Sequence, residues 1–107
     1  EKAVMTETFE EGVRVLTKGE QATAMYIVQR GELSMYSGGR INDRGQWEDG
    51  KLESRLLVGD CFGWRAMLYG GTSPFTVVVQ QRCKLVTVRF DYLQHVIGPN
   101  LVSFLEQ

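Results

Sequence analysis

Hydrophobic and polar residues alternate with a period of two along most of this chain. Between Met25 and Tyr36, Tyr26 and Val28, then Leu33 and Met35, hold alternate positions, the spacing that lays one face of a strand on a core. Arg30-Gly31 lies between the two halves and predicts a tight turn, so this stretch reads as a hairpin. Thr76–Gln80 and Lys84–Val88 are β-branched runs on either side of Gln81-Arg82 and predict another. Glu1–Phe9, Val13–Leu16 and Arg55–Val58 supply further strands, with breaks at Glu10-Glu11-Gly12 and Lys18-Gly19-Glu20. Ser37 to Glu53 has only Ile41, Trp47 and Leu52 as apolar residues and predicts a long exposed hairpin loop.

The resulting class is mainly β: about eight short strands at regular spacing favour a β-roll or jelly-roll barrel over βαβ units. At Phe90 the period becomes helical. Phe90, Leu93, Val96 and Ile97 fall on one helical face, Asp91 is near its start, and Gly98 ends it. Pro99 opens a second helix carrying Leu101, Val102, Phe104 and Leu105. The expected organisation is one domain over residues 1–107, a β-barrel to 89 followed by a C-terminal helical hook over 90–107.

Residues 59–77 break the strand pattern inside the barrel and read as strand, tight turn, one short helix, loop, strand. Gly59 and Gly63 let the backbone turn sharply before the helix and expose its first N–H groups, the local geometry that holds an anion. A phosphate site is the chemistry this stretch suggests.

Bulk numbers narrow the function classes. A chain of 107 residues is one domain's worth and buries roughly 65% of its unfolded surface. Twelve Lys+Arg oppose thirteen Asp+Glu, for a net charge of −1. There is no basic stripe or block of like charges along the chain, which argues against nucleic acid and anionic membrane as partners. Cys61 and Cys83 sit in apolar strand-like segments without metal-ligand spacing and read as buried free thiols of a reducing compartment. No apolar run reaches the ~18 residues of a membrane span, and no signal-peptide pattern opens the chain, so a cytoplasmic location is expected. The chain begins at Glu1 without a methionine and ends within a helical pattern, as expected of a piece of a longer protein. His95 is the one histidine, too few for a cupin-type metal site, and no nucleophile–base pair stands out. The fragment is expected to be neither an enzyme nor a carrier of a resident cofactor.

The ordered motifs resemble those of cyclic-nucleotide-binding domains. Phe62-Gly63-Trp64-Arg65-Ala66-Met67 and Thr72-Ser73-Pro74-Phe75-Thr76-Val77 stand where that family has Phe-Gly-Glu-x-Ala-Leu and Pro-Arg-Ala-Ala-Thr-Val, at the same spacing. Thr17-Lys18-Gly19-Glu20, Tyr26-Ile27-Val28 with Gly31-Glu32-Leu33, Leu57-Val58-Gly59-Asp60 and Cys83 to Val88 match its other strands. The helix end and the Gly98-Pro99 pair resemble most closely the tandem domains of cGMP-dependent protein kinases, protist ones in particular.

The resemblance implies the eight-stranded barrel with a phosphate-binding cassette at 59–77, and cGMP as possible regulatory ligand, cAMP less so. Its site residues would be Phe62, Gly63, Trp64, Ala66, Met67, Ser73, Pro74 and Thr76. Neighbouring cyclic-nucleotide-binding domains and the kinase domain of the same chain would be the partners. In the family, the cassette Glu accepts from the ribose hydroxyl and the cassette Arg pairs with the cyclic phosphate. Here those positions are Trp64 and Ser73. Trp64 offers one donor and no acceptor, and Ser73 one neutral hydroxyl. The acid that orients the Arg in several relatives is replaced by Ser34, and the residue after the Arg position is Pro74, which donates nothing. Charge-assisted hydrogen bonds contribute roughly 1.5–3 kcal/mol against about 1 for neutral ones, so losing both lowers affinity by orders of magnitude. The expected function is a degenerate regulatory domain that acts as an allosteric relay. The alternative is a working cGMP or cAMP sensor with rewired contacts, in which Arg65 or Arg55 reaches in from the rim or another small molecule such as a nucleoside is bound.

Overall fold

The computed structural model of the chain describes residues 4–68, 71–100 and 103. Six strands form one antiparallel sheet that curls around its own apolar face. They are β1 (Val4–Phe9), β2 (Arg14–Leu16), β3 (Ala24–Ile41), β4 (Trp47–Leu56), β5 (Cys61–Phe62) and β6 (Thr76–Arg89). The path runs β1-β6-β3-β4, with β2 added to β6 and β5 to β3. A short helix α1 (Trp64–Leu68) follows β5, and α2 (Phe90–Ile97) follows β6 directly, closing in a 3-10 turn at Gly98–Asn100. The fold is thus mainly β, as the alternation predicts, with fewer and longer strands among the described residues than the expected eight.

The difference has one physical cause. The two expected hairpins are instead two long strands paired with each other, from Ala24 opposite Arg89 to Tyr36 opposite Thr76. Arg30-Gly31 and Gln81-Arg82, the predicted turns, meet near the middle, where the register shifts between Val28 and Leu33. Such shifts bend and twist a strand pair without ending it. Gly31 has φ +87°, and a Cβ there would lie 2.5 Å from the Arg82 carbonyl oxygen and 2.7 Å from the Cys83 Cα. Glycine serves here to let two backbones close on each other.

The predicted loop over 37–53 is also strand. β3 and β4 stay paired from Leu33 opposite Leu56 to Ile41 opposite Trp47, leaving a connection at 42–46. The arm builds its own local packing: the Trp47 ring lies 4.9 Å from that of Tyr36 and fills the space that side chains at Gly39 and Gly50 would need. Asn42 closes the tip, its side chain accepting from the amides of Arg44 and Gln46 at 2.9 Å. β4 ends at Leu56, so Leu57 and Val58 fall in the following turn with Val58 67% exposed, not in a strand.

Alternation fills the core as expected. Val28, Leu33, Val77, Val79, Cys83 and Leu85 are fully buried and pack with Leu16, Leu56 and Phe62. The same alternation corrects the reading of the cysteines. Both are free, but only Cys83 is buried, because Phe62 takes the inward position on β5 and turns Cys61 out to solvent. α2 begins at Phe90, whose N–H donates to the Thr23 carbonyl at 3.0 Å, and ends at Gly98 with φ +73°. Leu101, Val102, Phe104 and Leu105 of the second predicted helix lie outside the described residues.

Candidate functional site

The cassette is held at both ends by backbone bonds. Phe62 on β5 is opposite Tyr26 of β3 and stacks on its ring at 5.0 Å. Gly63, at φ +85°, turns the chain into α1, and the Met67 N–H bonds back to its carbonyl at 3.1 Å. Beyond α1 the return segment is pinned to the loop after β2: the Gly19 N–H donates to the Ser73 carbonyl at 2.9 Å and the Ser73 N–H to the Glu20 carbonyl at 2.8 Å. These two bonds hold the return segment against the loop after β2.

This frame brings Phe62, Gly63, Trp64, Ala66, Ser73 and Pro74 around one cavity of about 230 Å³, smaller than the roughly 300–1,000 Å³ of most ligand sites. Buried Leu16 and Val77 contribute to its wall, as does partly buried Met35, and exposed Cys61 and Arg65 edge it. Met67 and Thr76 are placed elsewhere. Met67 is 2% exposed and lines a second concavity, of about 610 Å³, bordered also by Met5, Glu7, Tyr26, Arg89 and Phe90. Thr76 is fully buried, and its hydroxyl accepts from the Lys18 N–H at 3.0 Å. Its place is to fasten β6 to the loop after β2.

Ser73 and Trp64 each have their own local chemistry. Ser73 is 3% exposed. Its hydroxyl donates to the Phe75 carbonyl at 2.7 Å and accepts from the Phe75 N–H at 3.3 Å, a side-chain turn of the kind Ser commonly makes. The hydroxyl's donor is thereby committed within its own turn. Trp64 is partly buried at the start of α1, and the Arg65 guanidinium carbon lies 4.7 Å over its ring centroid, a cation–π contact. Ser34 is buried within β3, opposite Arg55 on one side and Val78 on the other. Arg55 pairs with Glu32 at 3.3 Å, whereas Arg65 has no ion pair among the described residues and borders the cavity. Of the two rim arginines named from the sequence, Arg65 borders the cavity and Arg55 does not; the stacking of Arg65 on Trp64 is the part that the sequence pattern does not show.

The second concavity shows the clearest electrostatic perturbation. Burial pushes the Tyr26 phenol above its ordinary 10.0, and the Glu7 carboxylate adds to the shift. Glu7 is in turn held by the Thr87 hydroxyl at 3.2 Å. Among the described residues no three His, Cys, Asp or Glu side chains gather as a metal would need, and no helix is long and apolar enough to cross a membrane. His95 is exposed on α2.

Comparison with known proteins agrees with this architecture. The family model described as cyclic nucleotide-binding domain matches residues 6–100. A cAMP-dependent protein kinase regulatory subunit of Yarrowia lipolytica is 31% identical over 99 residues, covering 92% of this chain and 24% of that protein. A cGMP-dependent protein kinase of Toxoplasma gondii is 28% identical over 97 residues, covering 90% of this chain and 9% of that protein. The chain thus spans a quarter or less of these relatives. Among solved structures, the regulatory domain of Toxoplasma gondii PKA, crystallised with cAMP, superposes with a TM-score of 0.79 at 21% identity, over 97% of this chain and 38% of that one.

Proposed function

Because the chain belongs to the cyclic nucleotide-binding domain family, we propose that it is a regulatory domain of a cGMP-dependent protein kinase whose nucleotide site has degenerated and which serves as an allosteric relay. The observation that carries this reading is the state of Ser73. At the position where the family's phosphate-pairing Arg is expected, a buried hydroxyl donates into its own turn, and a neutral group so engaged offers no counter-charge to a cyclic phosphate. Trp64 supports it: at the ribose-binding position it supplies no acceptor and it borders an already small cavity. The domain's partners are then the neighbouring cyclic-nucleotide-binding domains and the kinase domain of the parent protein, in which movement at one site changes the population of states at another.

One observation favours a second reading, a cGMP or cAMP sensor with rewired contacts. Arg65 edges the same cavity, is exposed, and is stacked on Trp64 with no ion pair among the described residues. A rotation of its side chain would bring a guanidinium to the anion.

Titration of the chain with cGMP and then cAMP separates the two readings. Calorimetry reports binding, and a Trp47→Phe background leaves Trp64 as the sole tryptophan reporter, since the chain has two. Absence of heat and of any fluorescence change supports the relay, and Trp64→Glu with Ser73→Arg should then create binding. Saturable binding that Arg65→Ala abolishes establishes the sensor instead.

A further inference from the structure

A cluster of cations lies where β3 and β6 bend past each other, outside the lining of the cassette cavity. Lys84 is the cross-strand partner of Thr8 on β1 and of Arg30 on β3. With Arg82 they surround a concavity of about 360 Å³ over the buried Cys83. None of these residues lines the cassette cavity, although Arg30 is two positions from Val28, which is bonded to Gly59 and Asp60 at the start of the 59–77 stretch. Arg82 and Lys84 are two positions apart on β6, and the pairing of β6 with β3 and β1 adds Arg30 and Thr8 to them.

The arrangement is unfavourable on its own. Like charges directly opposite in a sheet repel, and Arg30 opposite Lys84 is such a pair. The neighbouring acids do not relieve it. Glu10 pairs with Arg82 at 3.1 Å, and Glu32 is drawn to Arg55 at 3.3 Å. Among the described residues Arg30 and Lys84 have no ion pair, and all three cations are exposed. The groups match an oxoanion: the Arg30 guanidinium as a fork for bidentate contact, the Lys84 ammonium as a point charge, the Thr8 hydroxyl as a further donor, and the N–H groups of Arg82 that its Nε contact with Glu10 leaves over.

We propose that Arg30, Arg82, Lys84 and Thr8 form a binding site for a phosphate-monoester dianion, separate from the cassette. A bound dianion turns the repulsion across β3 and β6 into shared attraction, and by linkage it stabilises the bend. The site stands whether or not the cassette takes a nucleotide.

The test is a titration of the 107-residue chain with inorganic phosphate and, in a parallel arm, O-phosphoserine, each against chloride at matched ionic strength. Amide NMR shifts and the thermal midpoint are followed. Saturating shifts at residues 8, 30, 82 and 84, with a rise in Tm absent in chloride, are expected. The two arms separate a free phosphate from an esterified one, and binding of either supports the site. Arg30→Glu places a carboxylate opposite Lys84. Without phosphate this variant should melt higher than the wild type, and it should bind phosphate roughly tenfold or more weakly, the scale of one lost charge-assisted contact. Lys84→Ala provides a second variant that keeps Arg30 in place and should also weaken binding. Identical spectra in phosphate and chloride, or Arg30→Glu binding phosphate as the wild type does, overturns the proposal.

Discussion

Ser73 shows what one residue can decide in this fold. Replacing it with Ala removes both hydrogen bonds to Phe75 and should lower stability by about 1 kcal/mol, read from urea denaturation. Ser73→Arg alone must place a long cation at a 3% exposed position and should destabilise more than Ala does. The cysteines give a sharper contrast. Cys61 is exposed and Cys83 buried, and burial raises the Cys83 thiol above its ordinary 9.0, partly opposed by the Phe9 backbone. A thiol reagent should label Cys61 in the native protein and Cys83 only on unfolding. Tyr26 extends the argument to pH. Its folded pKa is above 10.0, so between 10.0 and the folded value the native state keeps a proton that the unfolded chain has lost. Its contribution to stability is complete below pH 10.0 and is lost as pH rises through the folded pKa. Glu7→Gln removes the smaller of the two causes and should lower the midpoint of the phenolate absorbance titration. That Trp64 and Ser73 come together, as they do around one cavity, was legible in the sequence, which reads 59–77 as one turn, helix and loop. The engagement of the Ser73 hydroxyl and the stacking of Arg65 on Trp64 were not, because both depend on side-chain rotamers.

At the scale of elements, alternation reveals which residues face inward but not which strand lies alongside. Arg30-Gly31 and Gln81-Arg82 have the composition of turns, and a local reading makes each the tip of a hairpin. Non-local pairing of β3 with β6 outweighs it, burying Val28, Leu33, Val79 and Leu85 in one sheet. The Ser37–Glu53 stretch departs from its predicted loop for a related reason. Its strands bury little, and their order comes from paired backbones, from Trp47 seated over Gly39 and Gly50, and from Arg40 beside Glu48 and Asp49. Two glycines test the closure of β3 on β6. Gly12 and Gly31 both have φ +87°, but a Cβ on Gly12 meets nothing within 4 Å, whereas one on Gly31 meets backbone at 2.5 Å. Gly12→Ala should therefore cost only the left-handed backbone penalty, roughly 1–2 kcal/mol. Gly31→Ala should exceed it by at least about 1 kcal/mol, the scale of overpacking. Equal losses in denaturant melts would mean that the two strands do not approach as closely as described.

For the whole molecule, the relay reading requires one part that holds still and one that moves. The still part is the pairing of β3 with β6, which carries the buried Val28, Leu33, Val79 and Leu85. The candidate moving part is α2, eight residues with none fully buried, whose Val96 is 60% exposed. Isolated helices shorter than ~12–15 residues are marginal in water, so α2 depends on what it packs against. Its first turn is tied to the barrel by the Phe90 N–H on the Thr23 carbonyl. Phe90 also borders the same concavity as Met67 and Leu68 of α1, so a shift of the cassette helix and a shift of α2 share one surface. Hydrogen exchange followed residue by residue should find the amides around Leu33 and Leu85 slowest, opening only with global unfolding, and those of α2 exchanging through local opening at far lower cost. Met67→Ala, which hollows the surface shared by the two helices, should then speed exchange in α2 more than at the centre of β3. If α2 proves as protected as β6, or indifferent to position 67, the helix is part of the rigid body and a relay through it is lost, whatever the cassette binds.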